Sequence, residues 1–543
     1  MPDQHYDIIV IGTGPGGASL AQRLAPTGKR ILMIERGDYL KRGIENWDAK
    51  TVFVDNAYLP SETWYDRDGN PFHPGLHYFV GGNSKMYGAA LFRLRARDFE
   101  ALPHADGMSP AWPLSYADFE PYYTQAERLF RVHGLRGEDP TEPPASAPYP
   151  FPPVSHEPRL QQLHDDFAKQ GVRPFHMPLG ILLDEQDGKV ASTSTCIRCA
   201  AFDGYPCLLN GKADAQVICV DPTLAAHANV SLLTNACATR LETDAGGRRV
   251  SAVEVAREGR REQYSADIVV VACGALSSAL LLLRSANAQH PDGLANGSGM
   301  LGRNYMRHNQ SVMLAVSRER NDTVFQKTLA VSDYYFGADD YPHPLGLIQM
   351  TGKSHADTLR GEALPGWLEW LPEFPFDEIA HHALDFWLSS EDLPRPENRV
   401  RLQRDGRVVL ELHANNLQAH ERLKQKLKAL VRGAGKHPFE RHFEVGKEIP
   451  IGGTAHQAGT ARFGRDPRNA VLDIHCKAHE LDNLYLADAS FFVSIGAVNP
   501  TLTIIANALR VADHIKERLG IRERGTCEAN DGSQALPQSE ACP

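Results

Sequence analysis

The stretch IGGTAHQAGTARFG, beginning at Ile451, holds one titratable ring, His456, among glycines and alanines. An imidazole titrates near neutrality, which suits it to take up or release a proton in general acid–base chemistry. A structural loop histidine is the competing reading. Further on, Asn499 precedes Pro500. Proline is a natural first helical residue and asparagine a good N-cap, so a helix is expected from Thr501 to about Leu519 with Asn499 as its cap. Leu502, Ile505, Ala508, Leu509, Ala512 and Ile515 share one face of that helix. Asp488 follows the short apolar run Leu484 to Leu486. It therefore lies at the carboxyl end of a strand, where open α/β sheets bind ligands.

These residues need a framework, and the amino-terminal stretch YDIIVIGTGPGGASLAQRLAPTGKRILMIERGD supplies one. The apolar run Ile8 to Ile11 predicts a buried parallel strand. Gly12, Gly14 and Gly17 follow in G-x-G-x-x-G spacing. Gly12 permits a tight turn, Gly14 lets a pyrophosphate approach the backbone, and Gly17 lets the next helix pack on the strand. The helix itself places Ala18, Ala21, Leu24 and Ala25 on one face, and its N-terminus attracts phosphate. A second strand ends at Glu35, 18 residues past Gly17. An acid there accepts ribose hydroxyls, which favours NAD or FAD over NADP. Strand, glycines, helix, strand and acid in this order predict a dinucleotide site.

A second glycine loop, Gly81-Gly82-Asn83-Ser84, runs on to Tyr87-Gly88-Ala89-Ala90. Small residues of this kind allow close backbone approach to a flat ligand, or simply make a turn. Residues 109–130 predict an amphipathic helix, and the proline-rich run before Pro153 marks a lobe boundary. From Val230 to Ala272 the pattern is strand, turn, strand, hairpin and buried strand, followed by the helix LSSALLLLRSA. Residues 311–450 mix strand-like runs with aromatic loops and a helix closed by Gly433, which suits a lobe on an antiparallel sheet. Trp367, Trp370, Phe386 and Trp387 in that lobe suit either sugar stacking or core packing.

Composition narrows the field. With 57 basic and 67 acidic residues, the formal charge is −10, dispersed along the chain, which disfavours nucleic acid and anionic membranes as partners. No signal peptide or membrane-spanning run is visible, so a cytoplasmic address is expected. The polar stretch 521–543 predicts a disordered tail. Cys196, Cys199, Cys207 and Cys219 cluster with one Cys-x-x-Cys spacing. Free thiols or a disulfide, a zinc or iron–sulfur site, and incidental thiols all remain open for them.

Together these motifs, with HQAGTARFG, LADAS and NPTLTIIANALRVAD in that order, resemble the glucose–methanol–choline (GMC) oxidoreductases over essentially the whole chain. The resemblance implies an α/β FAD-binding domain of Rossmann type interleaved with an α+β substrate domain on an antiparallel sheet. The expected division is 1–110, 191–310 and 451–520 for FAD, 111–190 for a cap segment, and 311–450 for substrate. It implies oxidation of a primary or secondary alcohol to a carbonyl, with hydride passing to the flavin and then to O2 or another acceptor. The family's catalytic pair falls on His456 and Asn499. Its cofactor contacts fall on Gly12, Gly14, Gly17, Glu35, Gly82, Asn83, Ser84, Ala238, Asp488 and Pro500, with no metal. The small residues around His456 are expected to let that loop lie against the flavin. There are departures: Phe463 stands where methionine is common, and Tyr87 where asparagine is. Met86 stands where some members carry a flavin-linking histidine, so FAD is expected to be non-covalent. Bacterial sugar, glycoside or aminoglycoside oxidation is the closest pattern. Choline-, aryl- or sterol-type alcohols, an electron-transfer flavoprotein without catalysis, and an NAD enzyme are the alternatives.

Overall fold

The computed structural model describes residues 5–354, 374–435, 441–443 and 449–521. Trp367 and Trp370 lie outside the described residues, as does the tail beyond residue 521. The strands that position the site are, in chain order, β1 (His5–Ile11), β2 (Ile31–Ile34), β3 (Val230–Leu233), β4 (Ala236–Thr243), β5 (Val250–Arg257), β6 (Arg260–Val271), β7 (Asn309–Val316), β8 (Leu329–Val331), β9 (Leu347–Met350), β10 (Ala383–Ser390), β11 (Arg441–Phe443) and β12 (Leu484–Leu486). The helices are α1 (Pro15–Leu24), α2 (Ala275–Arg284), α3 (Leu417–Arg432) and α4 (Thr501–Arg518).

A seven-stranded sheet carries the parallel order β3-β2-β1-β6-β12. Its central strands are apolar throughout: Ile8 to Val10 and Ile31 to Ile34 are almost wholly buried. That follows from helices covering both faces of a parallel sheet. β6 is long enough to do two jobs. Its second half pairs with β1, while its first half pairs antiparallel with β5, which in turn pairs antiparallel with β4. The carboxyl ends of β1, β2, β6 and β12 therefore bring Gly12, Glu35, Gly274 and Asp488 to one edge.

α4 runs through this core. Besides the expected face, Thr503, Ala506, Asn507, Arg510 and Val511 are also buried. It is a central helix packed on several sides rather than an amphipathic surface helix. Its start also corrects the sequence reading. Pro500, not Asn499, occupies the cap position, and no side chain caps the helix. The Asn499 amide is free for other partners.

The second sheet has six strands in the order β11-β7-β10-β9-β8 followed by the short strand Phe175–His176, and every pairing is antiparallel. Period-two alternation gives it two distinct faces. Met313, Ala315, Ile348, Met350, Phe386 and Leu388 join the core that includes Leu423 and Leu427 of α3. Phe386 is thus a core residue. The opposite face carries Gln310, Gln349, Trp387 and Ser389, which stand directly across from one another in register. This is a Rossmann-like parallel sheet joined to a second, wholly antiparallel sheet.

Candidate active site

The nucleotide cradle is built where β1 meets α1. Gly12 has φ +103°, a conformation that favours glycine. A Cβ on Gly17 would overlap the Gly12 carbonyl and lie 3.1 Å from Ala272 Cβ, so Gly17 serves the helix–strand crossing. A Cβ on Gly14, in contrast, would meet no protein atom within 4 Å. No side chain caps α1, and no acid stands in its first turn. Its free N–H groups and positive dipole end favour phosphate.

Glu35 is buried beside this turn. Thr13 donates to its Oε2 through both N (3.1 Å) and Oγ1 (2.5 Å), and Gly37 N donates to Oε1 at 3.0 Å. Burial raises its pKa and these hydrogen bonds oppose the rise. Thr13 Oγ1 accepts from Gly81 N at 3.2 Å, tying the second glycine loop to the first. A Cβ on Gly82 would meet Gly14 Cα at 3.1 Å, so the two loops close on one another. Asn83 and Ser84 face inward. Asn83 accepts from His77 N at 2.9 Å and donates to Gly75 O at 3.3 Å. Ser84 donates to Gly81 O at 2.6 Å and accepts from Ala215 N at 3.0 Å. These two side chains hold the loop's shape, leaving its backbone for a ligand.

Ala238 lies on β4, next to a register shift in its pairing with β5. That strand begins where Ala236 N donates to Glu35 O at 2.9 Å, so Ala238 is on the nucleotide side of the sheet. Asp488 accepts from Ser278 Oγ (2.5 Å), Gly274 N (3.1 Å) and Ser490 N (2.9 Å). Burial raises its pKa as well. Pro500 is buried at the start of α4. The Tyr87 hydroxyl donates to Ala213 O at 2.6 Å and is committed there.

His456 and Asn499 come together although 43 residues separate them: Asn499 Nδ2 lies 3.5 Å from His456 Nε2. The loop of His456 is stitched down on both sides. Ala458 and Met306 exchange two backbone hydrogen bonds of 3.0 Å, and Gly459 N donates to Ala489 O at 3.1 Å. Gly459 has φ +90°, and a Cβ there would run into the Asn304 carbonyl. Gly459 is thus small because neighbouring backbone leaves no room for a side chain.

Sequence reasoning missed three further members. His308 Nδ1 lies 2.8 Å from His456 Nδ1, and the Gln310 amide lies 2.7 Å from the same atom. The two rings meet edge to face, with centroids 5.0 Å apart. Gln349 Nε2 donates to Asn499 Oδ1 at 3.3 Å. The available signal was His308 and Gln310 at alternate positions entering an apolar strand. Nearby, Lys327 pairs with Asp203, which also accepts from Gly352 N at 2.6 Å. His456 keeps a partly exposed edge, yet burial pushes its pKa well below the ordinary value, with His308 and the Lys327 cation adding to the fall. Burial likewise pushes His308 down to about 4. The ring of His456 is neutral at physiological pH and can take up a proton.

Two GMC oxidoreductase models match the chain, the N-terminal one over residues 76–310 and the C-terminal one over 394–508. 6'''-Hydroxyparomomycin C oxidase of Streptomyces lividus is 32% identical over 540 residues, covering 95% of this chain and 92% of that protein. The chain belongs to the GMC oxidoreductase family. Paromamine 6'-oxidase of Streptomyces fradiae is 31% identical, covering 94% of this chain and 91% of that protein. Fructose dehydrogenase large subunit of Gluconobacter japonicus is 26% identical, with 94% and 97% covered. Among solved structures, pyridoxine 4-oxidase from Mesorbium loti superposes with a TM-score of 0.67 at 19% identity, covering 94% of this chain and 99% of that one. Formate oxidase of Aspergillus oryzae superposes at 0.66 and 15%, with 95% and 98% covered.

As a GMC oxidoreductase the protein is an FAD-dependent alcohol oxidoreductase. Its residues fit the cofactor: the open position at Gly14, the uncapped α1, and the buried acids at Glu35 and Asp488 lie along one sheet edge. The cluster of Cys196, Cys199, Cys207 and Cys219 does not form a metal centre among the described residues. All seven cysteines among those residues are free thiols, and no group of three or more His, Cys, Asp or Glu among them is placed to hold a metal. The cysteine-bearing loop closes instead around Lys212, whose ammonium donates to the carbonyls of Tyr87, Phe202 and Tyr205. Among the described residues no helix is long and apolar enough to cross a membrane.

Proposed function

We propose that the protein oxidises a hydroxyl of a sugar, glycoside or aminoglycoside, with His456 as the base and Asn499 orienting the reacting oxygen. One observation carries the substrate class. On the site face of the antiparallel sheet, Gln349 Oε1, Trp387 Nε1 and Ser389 Oγ are buried without a hydrogen-bond partner. Trp387 stands opposite Gln349 in register, and Ser389 opposite Gln310. Buried polar atoms normally have partners. The half-buried Trp387 ring offers a surface for a sugar to stack on, and a polyhydroxylated ligand suits a face lined with glutamine, serine and tryptophan side chains. The names of the paromamine, hydroxyparomomycin and fructose enzymes agree with this reading.

The substrate hydroxyl donates its proton to His456 as the C–H hydride leaves, so that negative charge does not accumulate on oxygen. Asn499, itself held by Gln349, fixes the angle of that oxygen. Bound FAD supplies the two-electron acceptor for the hydride. Glu35 would hold the adenosine ribose, the α1 N-terminus the pyrophosphate, Ala238 the adenine through its backbone, and the Asp488 and Pro500 region the flavin half. The interleaved domain boundaries given above belong to the same proposal, as does a cytoplasmic address.

The flavin is held without a covalent bond, because Met86 stands at the linkage position. Acid precipitation should release all colour to the supernatant; a yellow pellet would refute this. The substrate class is tested by anaerobic mixing with sugars, aminoglycosides, choline, aryl alcohols and sterols while the flavin absorbance is followed. Bleaching by sugars or aminoglycosides is expected. Bleaching by the apolar alcohols alone would overturn the proposal. Readmitting air then shows whether O2 is the acceptor.

A further inference from the structure

Which nitrogen of His456 carries the proton decides whether the ring can act as a base toward substrate. The nitrogen facing Asn499 is Nε2, so a working base needs a bare Nε2 and a proton on Nδ1. Both sides of the ring bear on this choice. On the Nε2 side, Gln349 donates to Asn499 Oδ1 at 3.3 Å, which turns the Asn499 amide hydrogens toward Nε2, 3.5 Å away. A donor there favours a lone pair on Nε2. On the Nδ1 side, His308 Nδ1 approaches at 2.8 Å. Two imidazole nitrogens at that distance share one proton, so one of them is the acceptor.

With Asn499 donating to Nε2, His456 carries its proton on Nδ1 and His308 is the acceptor; the far side of His308 agrees. The backbone carbonyls of Ile495 and Gly496 act on its ring as hydrogen-bond acceptors, although neither meets its Nε2 in good geometry. His308 is 1% exposed, so no bulk water reaches that atom. The backbone carbonyls acting on this ring are acceptors, so an N–H on Nε2 suits that side better than a second lone pair. His308 then carries its proton on Nε2 and offers a bare Nδ1.

We propose that His308 is a positioning residue that sets the tautomer of His456. The hydrogen bonds run in one direction, from Gln349 through Asn499 and His456 to His308. His456 is thereby held as the Nδ1–H form, with Nε2 bare toward the substrate. The structure places Gln310 Nε2 at 2.7 Å from His456 Nδ1; the Nδ1–H form requires the half-turn of this amide that puts its oxygen there as a second acceptor. When the substrate hydroxyl releases its proton, that proton adds to Nε2. The proton on Nδ1 stays in its bond to His308, and His308 remains neutral. The inference rests on the reading of His456 as the base.

The test is the tautomer itself, read from ring 15N chemical shifts of histidine-labelled protein, with the His456 signal assigned by its loss in His456→Gln. The expected result is Nδ1–H for His456 and Nε2–H for His308 in the wild type. In His308→Phe, His456 should shift to a mixture or to Nε2–H. The same variant should lose roughly 10²-fold in kcat with KM nearly unchanged. His308→Asn, whose side-chain oxygen can stand near the position of Nδ1, should recover most of that loss. An Nε2–H form of His456 in the wild type overturns the proposal, whether or not the variants fold. So does a His456 tautomer indifferent to His308→Phe. A fully active His456→Ala would instead refute the base reading and leave the tautomer result standing.

Discussion

Two glycines three residues apart should fail in different ways. Gly14 has φ −63° and ψ −179°, a conformation open to alanine. In Gly14→Ala the new methyl meets no protein atom within 4 Å. The unfolded chain loses entropy, which stabilises by about 0.4–1 kcal/mol, and alanine is a poorer N-cap by a similar amount. Apo-protein stability should therefore change by less than about 1 kcal/mol. The methyl does occupy the space where a pyrophosphate would reach the N–H groups of α1. Losing one or two charge-assisted hydrogen bonds, at about 1.5–3 kcal/mol each, costs about 3 kcal/mol, or roughly 10²-fold in Kd. In Gly17→Ala the methyl strikes the Gly12 carbonyl and sits 3.1 Å from Ala272 Cβ. Overpacking of that kind costs about 1–3 kcal/mol or more in the apo-protein. Thermal unfolding of the apo-proteins and FAD titration by flavin fluorescence separate the two effects. Wild-type FAD affinity in Gly14→Ala would refute the route of the pyrophosphate over this glycine. Equal thermal destabilisation by both substitutions would refute the division of labour between them.

Three other outcomes follow from the same geometry. His456→Ala should keep its FAD and lose roughly 10²–10⁴-fold in the rate of flavin reduction by substrate; stopped-flow absorbance measures it. Because burial, His308 and Lys327 all lower the pKa of His456, the neutral base persists below the ordinary histidine range, and the acidic limb of kcat/KM should fall below pH 6.5; a limb at or above 6.5 would contradict it. His420 is buried between Ser311 Oγ (2.7 Å) and Ser390 Oγ (3.0 Å), with its pKa pushed down to about 3 by burial. The unfolded chain takes up that proton near pH 6.5 while the folded one does not, so the stabilisation present above 6.5 is lost as pH falls. At 1.36 kcal/mol per unit this is roughly 3 kcal/mol between pH 6.5 and 4, and urea titrations of His420→Gln should show the acid slope reduced by that amount.

The nucleotide end was legible because its determinants are local. β1, the glycine turn, α1, β2 and Glu35 form one continuous unit whose hydrophobic period and turn chemistry appear in about thirty residues. The two faces of the antiparallel sheet were less legible. A strand's period assigns residues to faces but does not say which face meets a helix, so Phe386 and Trp387 looked equivalent until α3 covered one of them. Local pattern also misled at Asn499, which before proline has the form of a cap, whereas Pro500 takes that position.

What the sequence determined by itself was the family and the cofactor edge, since each depends on short motifs with defined spacing; the pairing of His456 with Asn499 came only through the family resemblance. What only the tertiary structure decided was the company His456 keeps. His308 lies 148 residues away and Gln310 146, while Gln349 is 150 from Asn499. Contacts at such separations leave no period in the chain. They exist because a buried imidazole must satisfy both nitrogens, and only the folded packing of β7 and β9 against the 451–464 loop brings the partners within reach.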